Sequence, residues 1–216
     1  MKRTYLFALM LCSLVIVSSC KKDEDTSNGG GATPATKYEV VELSTIHGNF
    51  YIWLYDETPL HKANFLKLAK EGFYDGTTFH RLVTQFVMQG GDPNSKDSDP
   101  KNDGQGGPGY TIPAEINANL KHDVGMIGAA RDNNPEKRSS GSQFYICLNK
   151  DKTAGLDGGY TVFGKVIKGM ENSGKIMSVP FDQNGRPLTD LKMTMKVIAY
   201  DTEAEVLAEY GFTIPK

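Results

Sequence analysis

Cysteine is scarce in this chain of 216 residues, which carries only Cys12, Cys20 and Cys147. No C-x-x-C pair or other metal-ligating cysteine spacing occurs, which excludes a zinc ribbon and a dithiol redox centre. A basic excess is also lacking. The formal net charge is −2 and no Lys/Arg cluster follows residue 22, which argues against nucleic acid as a partner. His47, His61 and His122 show no metal-ligand spacing. The glycine-rich stretch 92–110, "DPNSKDSDPKNDGQGGPGY", lacks the lysine of a P-loop. It also fails as an EF-hand, because Lys101 falls between Asp99 and Asp103 and no glutamate closes the loop. No metal and no cofactor is therefore expected. No internal repeat is found, and Trp53 is the only tryptophan.

The N-terminus differs in character from the rest. Lys2 and Arg3 precede "LFALMLCSLVIV" (6–17), an apolar run too short to span a bilayer as a stable helix. Small residues and a cysteine follow, so residues 1–19 read as a signal peptide. "VSSC" (17–20) resembles the bacterial lipobox, in which the cysteine, here Cys20, is lipid-modified and becomes the new N-terminus. Residues 21–37, "KKDEDTSNGGGATPATK", hold no large apolar residue, so 20–37 reads as a lipidated cysteine and a disordered tether. The expected location is the cell envelope, lipid-anchored at the outer membrane, facing the periplasm or the surface. Cys147 then stays unpaired, and in "FYICL" it reads as a buried, inert thiol.

The remaining chain, 38–216, reads as one domain. A composition of 39% hydrophobic and 23% charged residues is that of a soluble globular protein. "YEVVELSTIHGNFYIWLY" (38–55) predicts two strands about a turn at His47-Gly48-Asn49. Phe50, Ile52 and Leu54 alternate with Tyr51, Trp53 and Tyr55, so both strand faces are expected to be covered. Residues 58–72 predict a helix with Thr58 as cap, Pro59 at the first position and Gly72 at the C-terminal cap. Short strands are predicted at 78–83, 86–90, 125–130, 143–148, 160–166 and 191–201, with a short helix around 169–178. Many short strands and few helices indicate an all-β sandwich or barrel.

"FHRLVTQFVMQGGD" (79–92) poses a chemical question. Arg81 sits within an apolar run, yet a guanidinium is almost never fully buried unless paired. Gln89 follows eight residues later, an even step. Arg81, Val87 and Gln89 share one strand face if the bend at Thr84-Gln85 preserves parity.

This segment resembles the cyclophilin signature. "GSQFYI" (141–146) and "LDGGYTVFGKV" (156–166) occur in that family's order and at about its spacing. "NFLKLA" (64–69) resembles its first helix, and "GQGGPGYTIPAE" (104–115) resembles a segment of bacterial members. The resemblance spans about residues 45–200. It implies an all-β-dominated fold, a closed eight-stranded antiparallel barrel capped by two α-helices. It implies peptidyl-prolyl cis–trans isomerisation of proline-containing polypeptides, with Arg81 and Gln89 as catalytic residues. By the same resemblance, Phe86, Val87, Tyr145 and Leu156 form the proline pocket, and Tyr160 closes its rim. Ala130 and Arg131 match the strand that pairs with substrate backbone, Gln143 lines the neighbouring groove, and Gly104 lines a second pocket before the proline site. The competing structural reading makes Arg81 one half of a rim ion pair. His80 is read as packing or hydrogen bonding, because isomerisation needs no base.

Several positions depart from the family's commoner residues. Val87 stands for methionine and Tyr145 for phenylalanine, whose added hydroxyl needs water or a partner. Gly155 stands where many eukaryotic members carry a tryptophan that matters for cyclosporin, so weak sensitivity is expected. The charged loop "DNNPEKRSS" (132–140) is expected to narrow or extend the groove. A binding module with little turnover is the alternative to an enzyme. No oligomerisation stripe is visible, so a monomer is expected.

Overall fold

The computed structural model describes residues 38–215. The expected signal at 1–19, Cys20 and the tether to residue 37 lie outside the described residues. The first hairpin joins β1 (Tyr38–Thr45) to β2 (Gly48–Leu54). Its turn falls at Ile46-His47, one residue earlier than expected, because Thr45 already pairs with Gly48 and its Oγ1 accepts from His47 N. Helix α1 (Pro59–Lys70) follows. Thr58 does not cap it through its side chain; Pro59 has no N–H to offer, and Glu115 accepts from the next two, Leu60 N and His61 N. Gly72, at φ +69°, ends the helix, with Phe73 N bonded to Leu68 O and Gly72 N to Ala69 O.

The remaining strands are β3 (Arg81–Val83), β4 (Val87–Gly90), β5 (Thr111–Ile112), β6 (Met126–Ala129), β7 (Ser139–Ser140), β8 (Phe144–Cys147), β9 (Val162–Lys168) and β10 (Met193–Tyr200). Three further helices are α2 (Lys150–Thr153), α3 (Asn172–Met177) and α4 (Glu203–Tyr210). Eight strands form one antiparallel sheet in the order β10-β1-β2-β9-β6-β8-β4-β3, while β5 and β7 pair separately. The sheet curls until its ends meet. Phe79 N bonds to Leu191 O and Met193 N to Thr77 O, joining the segment ahead of β3 to the start of β10. Closure leaves no long unpaired edge at these ends.

Alternation sorts side chains between two clusters. Phe50, Ile52, Leu54, Leu82, Met88, Ile127, Phe144 and Ile146 fill the barrel interior. The rings of Phe65 and Tyr74 close one end against Phe144. The two expected helices, α1 and α3, both feed this interior through Phe65, Leu66, Leu68 and Ile176. The outer face of β2 is covered as well. Trp53 meets Phe212 with ring centroids 5.9 Å apart, and Tyr51 meets Tyr210 at 5.2 Å. Helix α4, which was not expected, brings this cover. A capping box between Thr202 and Glu205 starts it, and Gly211 at φ +63° ends it.

Candidate active site

The apolar run around Arg81 is two-faced. Strands β3 and β4 pair Arg81 with Gln89, Leu82 with Met88 and Val83 with Val87. The turn at Thr84-Gln85-Phe86 preserves parity, with Gln85 at φ +53° and Phe86 N bonded to Val83 O. Leu82 and Met88 therefore point into the barrel, while Arg81, Val87 and Gln89 share the other face. Arg81 is exposed and forms no ion pair among the described residues; the rim pairing is not what the structure contains.

Instead Arg81 begins a chain of amides. Its NH1 donates to Gln89 Oε1 at 3.3 Å, and Gln89 Nε2 donates to Gln143 Oε1 at 3.1 Å. Gln143 Nε2 then donates to the carbonyls of Gly104 (3.0 Å) and Gly106 (2.8 Å). This last step fixes the glycine-rich loop against β8. Asp92, fully buried, holds the same loop by accepting from Asn94 N and Gly106 N. Among the described residues no group of three or more His, Cys, Asp or Glu could hold a metal ion.

Beside Arg81 lies a pocket of about 170 Å³. It brings together Arg81, Phe86, Val87, Gln89, Ala130, Arg131, Tyr145, Leu156 and Tyr160, all of them expected at the site. The two remaining expected residues, Gly104 and Gln143, line a larger adjoining hollow of about 600 Å³. Gln89, Ala130 and Arg131 border both, so the hollows form one groove. Ala130 already uses its backbone inside the fold: its N donates to Gln143 O, and its O accepts from Ser140 N. A substrate N–H can reach only the second lone pair of that carbonyl. The Arg131 Cζ lies over the Tyr160 ring, 4.6 Å from its centroid, and the Arg131 Nε donates to Gly159 O.

The Tyr145 hydroxyl finds its partner in His122, whose Nε2 lies 2.9 Å away. His122 Nδ1 lies 2.7 Å from Asp157 Oδ1. A carboxylate only accepts, so Nδ1 carries the proton and Nε2 accepts from the tyrosine. Burial holds the His122 pKa below the usual value and outweighs the pull of Asp157. Burial also pushes the Tyr145 phenol well up, so it stays neutral. Gly128, paired with Tyr145 across β6 and β8, makes the room: a Cβ there would stand 2.3 Å from Tyr145 Cζ. His122 and Asp157 were missed in the sequence, although a hydroxyl in place of a phenylalanine edge called for such a pair.

Two other titratable groups take no visible part. Burial lowers the pKa of His80 to about 4, leaving a neutral ring packed beside Gly104. Burial raises the Cys147 thiol to about 12, which makes it inert. The loop at 132–140 extends the groove, since Asp132 and Arg138 line the larger hollow.

Comparison with known proteins bears on this groove. Residues 40–197 match the family described as cyclophilin type peptidyl-prolyl cis-trans isomerase/CLD. Peptidyl-prolyl cis-trans isomerase B of Bacillus subtilis is 46% identical over 120 residues, covering 55% of this chain and 76% of that protein. Peptidyl-prolyl cis-trans isomerase CYP18-2 of Arabidopsis thaliana is 36% identical over 167 residues, covering 75% and 94%. The crystal structure of a Cryptosporidium parvum cyclophilin type isomerase in the presence of the dipeptide Ala-Pro superposes with a TM-score of 0.65 at 29% identity. It covers 74% of this chain and 98% of that one.

Proposed function

The chain belongs to the cyclophilin-type peptidyl-prolyl cis-trans isomerases, and from that premise we propose that the pocket beside Arg81 holds a substrate proline while the guanidinium drives the rotation. An X–Pro bond turns slowly because amide resonance opposes it with a barrier of about 18–20 kcal/mol. As the amide twists, the proline nitrogen becomes pyramidal and gains a lone pair. A donor aimed at that nitrogen binds the twisted state better than the planar one, and only such a difference accelerates the step. An arginine suits this task because a guanidinium is never deprotonated in proteins and presents donors in a rigid fork.

The observation that carries this reading is the unpaired Arg81 guanidinium, held by Gln89 at the mouth of an apolar pocket. Phe86, Val87, Tyr145 and Leu156 supply the apolar walls for the ring, and Gln89, which lines the same pocket, is placed to bond substrate backbone. Exchange spectroscopy on a short Ala-Pro peptide tests it: Arg81→Ala should abolish most of the acceleration while the peptide still binds.

We further propose that the enzyme works in the bacterial envelope on exported proteins, anchored by a lipid on Cys20. The support is the sequence pattern alone: a charged start, an apolar run, "VSSC" and a polar tether. Labelling cells with a palmitate analogue tests this. Wild type should take up label and sediment with membranes, and Cys20→Ser should do neither. An unlabelled wild-type chain would remove the anchor from the proposal.

A further inference from the structure

Four arginines lie among the described residues, and they divide by location. Arg186, outside the groove, donates to Asp103 at 2.8 Å and to Asp190 at 3.1 Å. Arg81, Arg131 and Arg138 pair with no carboxylate among the described residues. All three line the groove: Arg81 the proline pocket, Arg138 the larger hollow, and Arg131 both. A chain of net charge −2 has carboxylates enough to pair them, yet leaves three guanidiniums without an ion pair along one groove.

Both arginines of the larger hollow are fixed by neutral groups. Arg138 Nε donates to Thr111 Oγ1 at 2.7 Å, and its NH2 donates to Thr111 O at 2.9 Å. Arg131 is held by Gly159 O, by Asp132 O and by the Tyr160 ring. Asn134 ties the two ends of the loop, accepting from Arg138 N and donating to Arg138 O, while its own carbonyl accepts from Arg131 NH1 at 3.4 Å. One carboxylate, Asp132, also lines the hollow and accepts from Asn134 Nδ2. The count there is two guanidiniums against one carboxylate.

We propose that the larger hollow selects an acidic side chain, Asp or Glu, on the substrate stretch that precedes the isomerising X–Pro bond, with Arg138 as the specificity-determining residue. This rests on the isomerase reading of the adjoining pocket and adds to it the chemistry of a neighbouring substrate residue. A guanidinium fork matches a carboxylate and repels an ammonium. An extended peptide advances about 3.3 Å per residue, so a hollow that shares Gln89, Ala130 and Arg131 with the proline pocket is within two or three residues of the proline. The pre-fixed guanidiniums lose little freedom on binding, which favours discrimination.

The test uses the whole protein and three peptides that differ only two positions before proline, carrying Glu, Ala or Lys. The Glu peptide should exceed the Lys peptide about tenfold in kcat/KM at low salt, and the ratio should shrink as salt is raised. Arg138→Gln keeps hydrogen-bonding capacity toward Thr111 and removes the charge; it should cut the Glu-to-Lys ratio about threefold. Arg186→Gln, outside the groove, should leave the ratio unchanged. Equal turnover of the Glu and Lys peptides would overturn the inference while leaving the isomerase reading intact. If no peptide is isomerised, the reading of the proline pocket fails, and NMR titration then decides the inference alone. Tighter binding of the Glu peptide supports it, and equal affinities overturn it.

Discussion

Arg81 and Gln89 stand directly opposite each other on β3 and β4, and the guanidinium NH1 lies 3.3 Å from the Gln89 amide oxygen. Gln89 in turn is braced by Gln143, and Gln143 by the carbonyls of the glycine-rich loop. The guanidinium is thus aimed by a chain of neutral amides. A carboxylate in the same place would have held it more tightly, but would also have spent its charge on the enzyme.

Gln89→Leu removes the first link of that chain. Arg81 keeps its charge and loses its aim. We expect kcat/KM to fall about 10- to 100-fold with little change in the midpoint of urea unfolding. A variant as active as wild type would show that Gln89 does not position Arg81.

Tyr145→Phe keeps the ring that walls the pocket and deletes the donor to His122 Nε2. A buried acceptor left unpaired costs about 1–3 kcal/mol. Urea unfolding should therefore show a loss of that size, while isomerisation of an Ala-Pro peptide changes only a few-fold. An unchanged unfolding midpoint would mean that the hydroxyl contributes nothing through His122.

Acid should weaken the fold before it touches the chemistry. Burial lowers the pKa values of His61, His80 and His122, so the folded chain binds fewer protons than the unfolded one as pH falls below about 6.5. Stability is full above that value and is lost on the way down. For His80, whose pKa falls from 6.5 to about 4, the loss across that interval is roughly 3 kcal/mol. An arginine guanidinium keeps its proton in proteins and the step needs no acid or base, so kcat should stay flat from neutral pH upward. Unfolding curves and rates measured across pH check both halves. A bell-shaped rate profile near neutrality would point to a general acid or base instead.

Cyclosporin should inhibit weakly. Gly155, preceding Leu156, presents no side chain at the pocket edge, and nothing lies within 4 Å of where its Cβ would be. Trp53 sits on β2 against Phe212 and cannot take that place. Tight inhibition in the peptide assay would contradict this.

The closed barrel and the membership of its pocket were legible through the resemblance to cyclophilins, and the facing of several side chains through the chain's own pattern. Strict alternation through Phe50–Leu54 and an even step from Arg81 to Gln89 fix which side chains share a face, and period-two geometry survives folding unchanged. Caps were less legible. Thr58 has the right chemistry, but Glu115, far along the chain, outcompetes it for the helix N–H groups. The His122–Asp157 pair was hidden for the same reason: its members stand 35 residues apart in the chain, and only the tertiary fold brings them to Tyr145. Helix α4 did carry local signals, the Thr202–Glu205 capping box and Gly211. They lie beyond residues 40–197, the stretch that matches the family.

The exchange rate between cis and trans forms of a short Ala-Pro peptide, measured by NMR with wild type and Arg81→Ala, decides the central point. We expect wild type to accelerate exchange and Arg81→Ala to lose about 10²- to 10³-fold of that acceleration, with peptide binding retained. Undiminished acceleration by Arg81→Ala would show that the guanidinium is not the donor to the twisted amide.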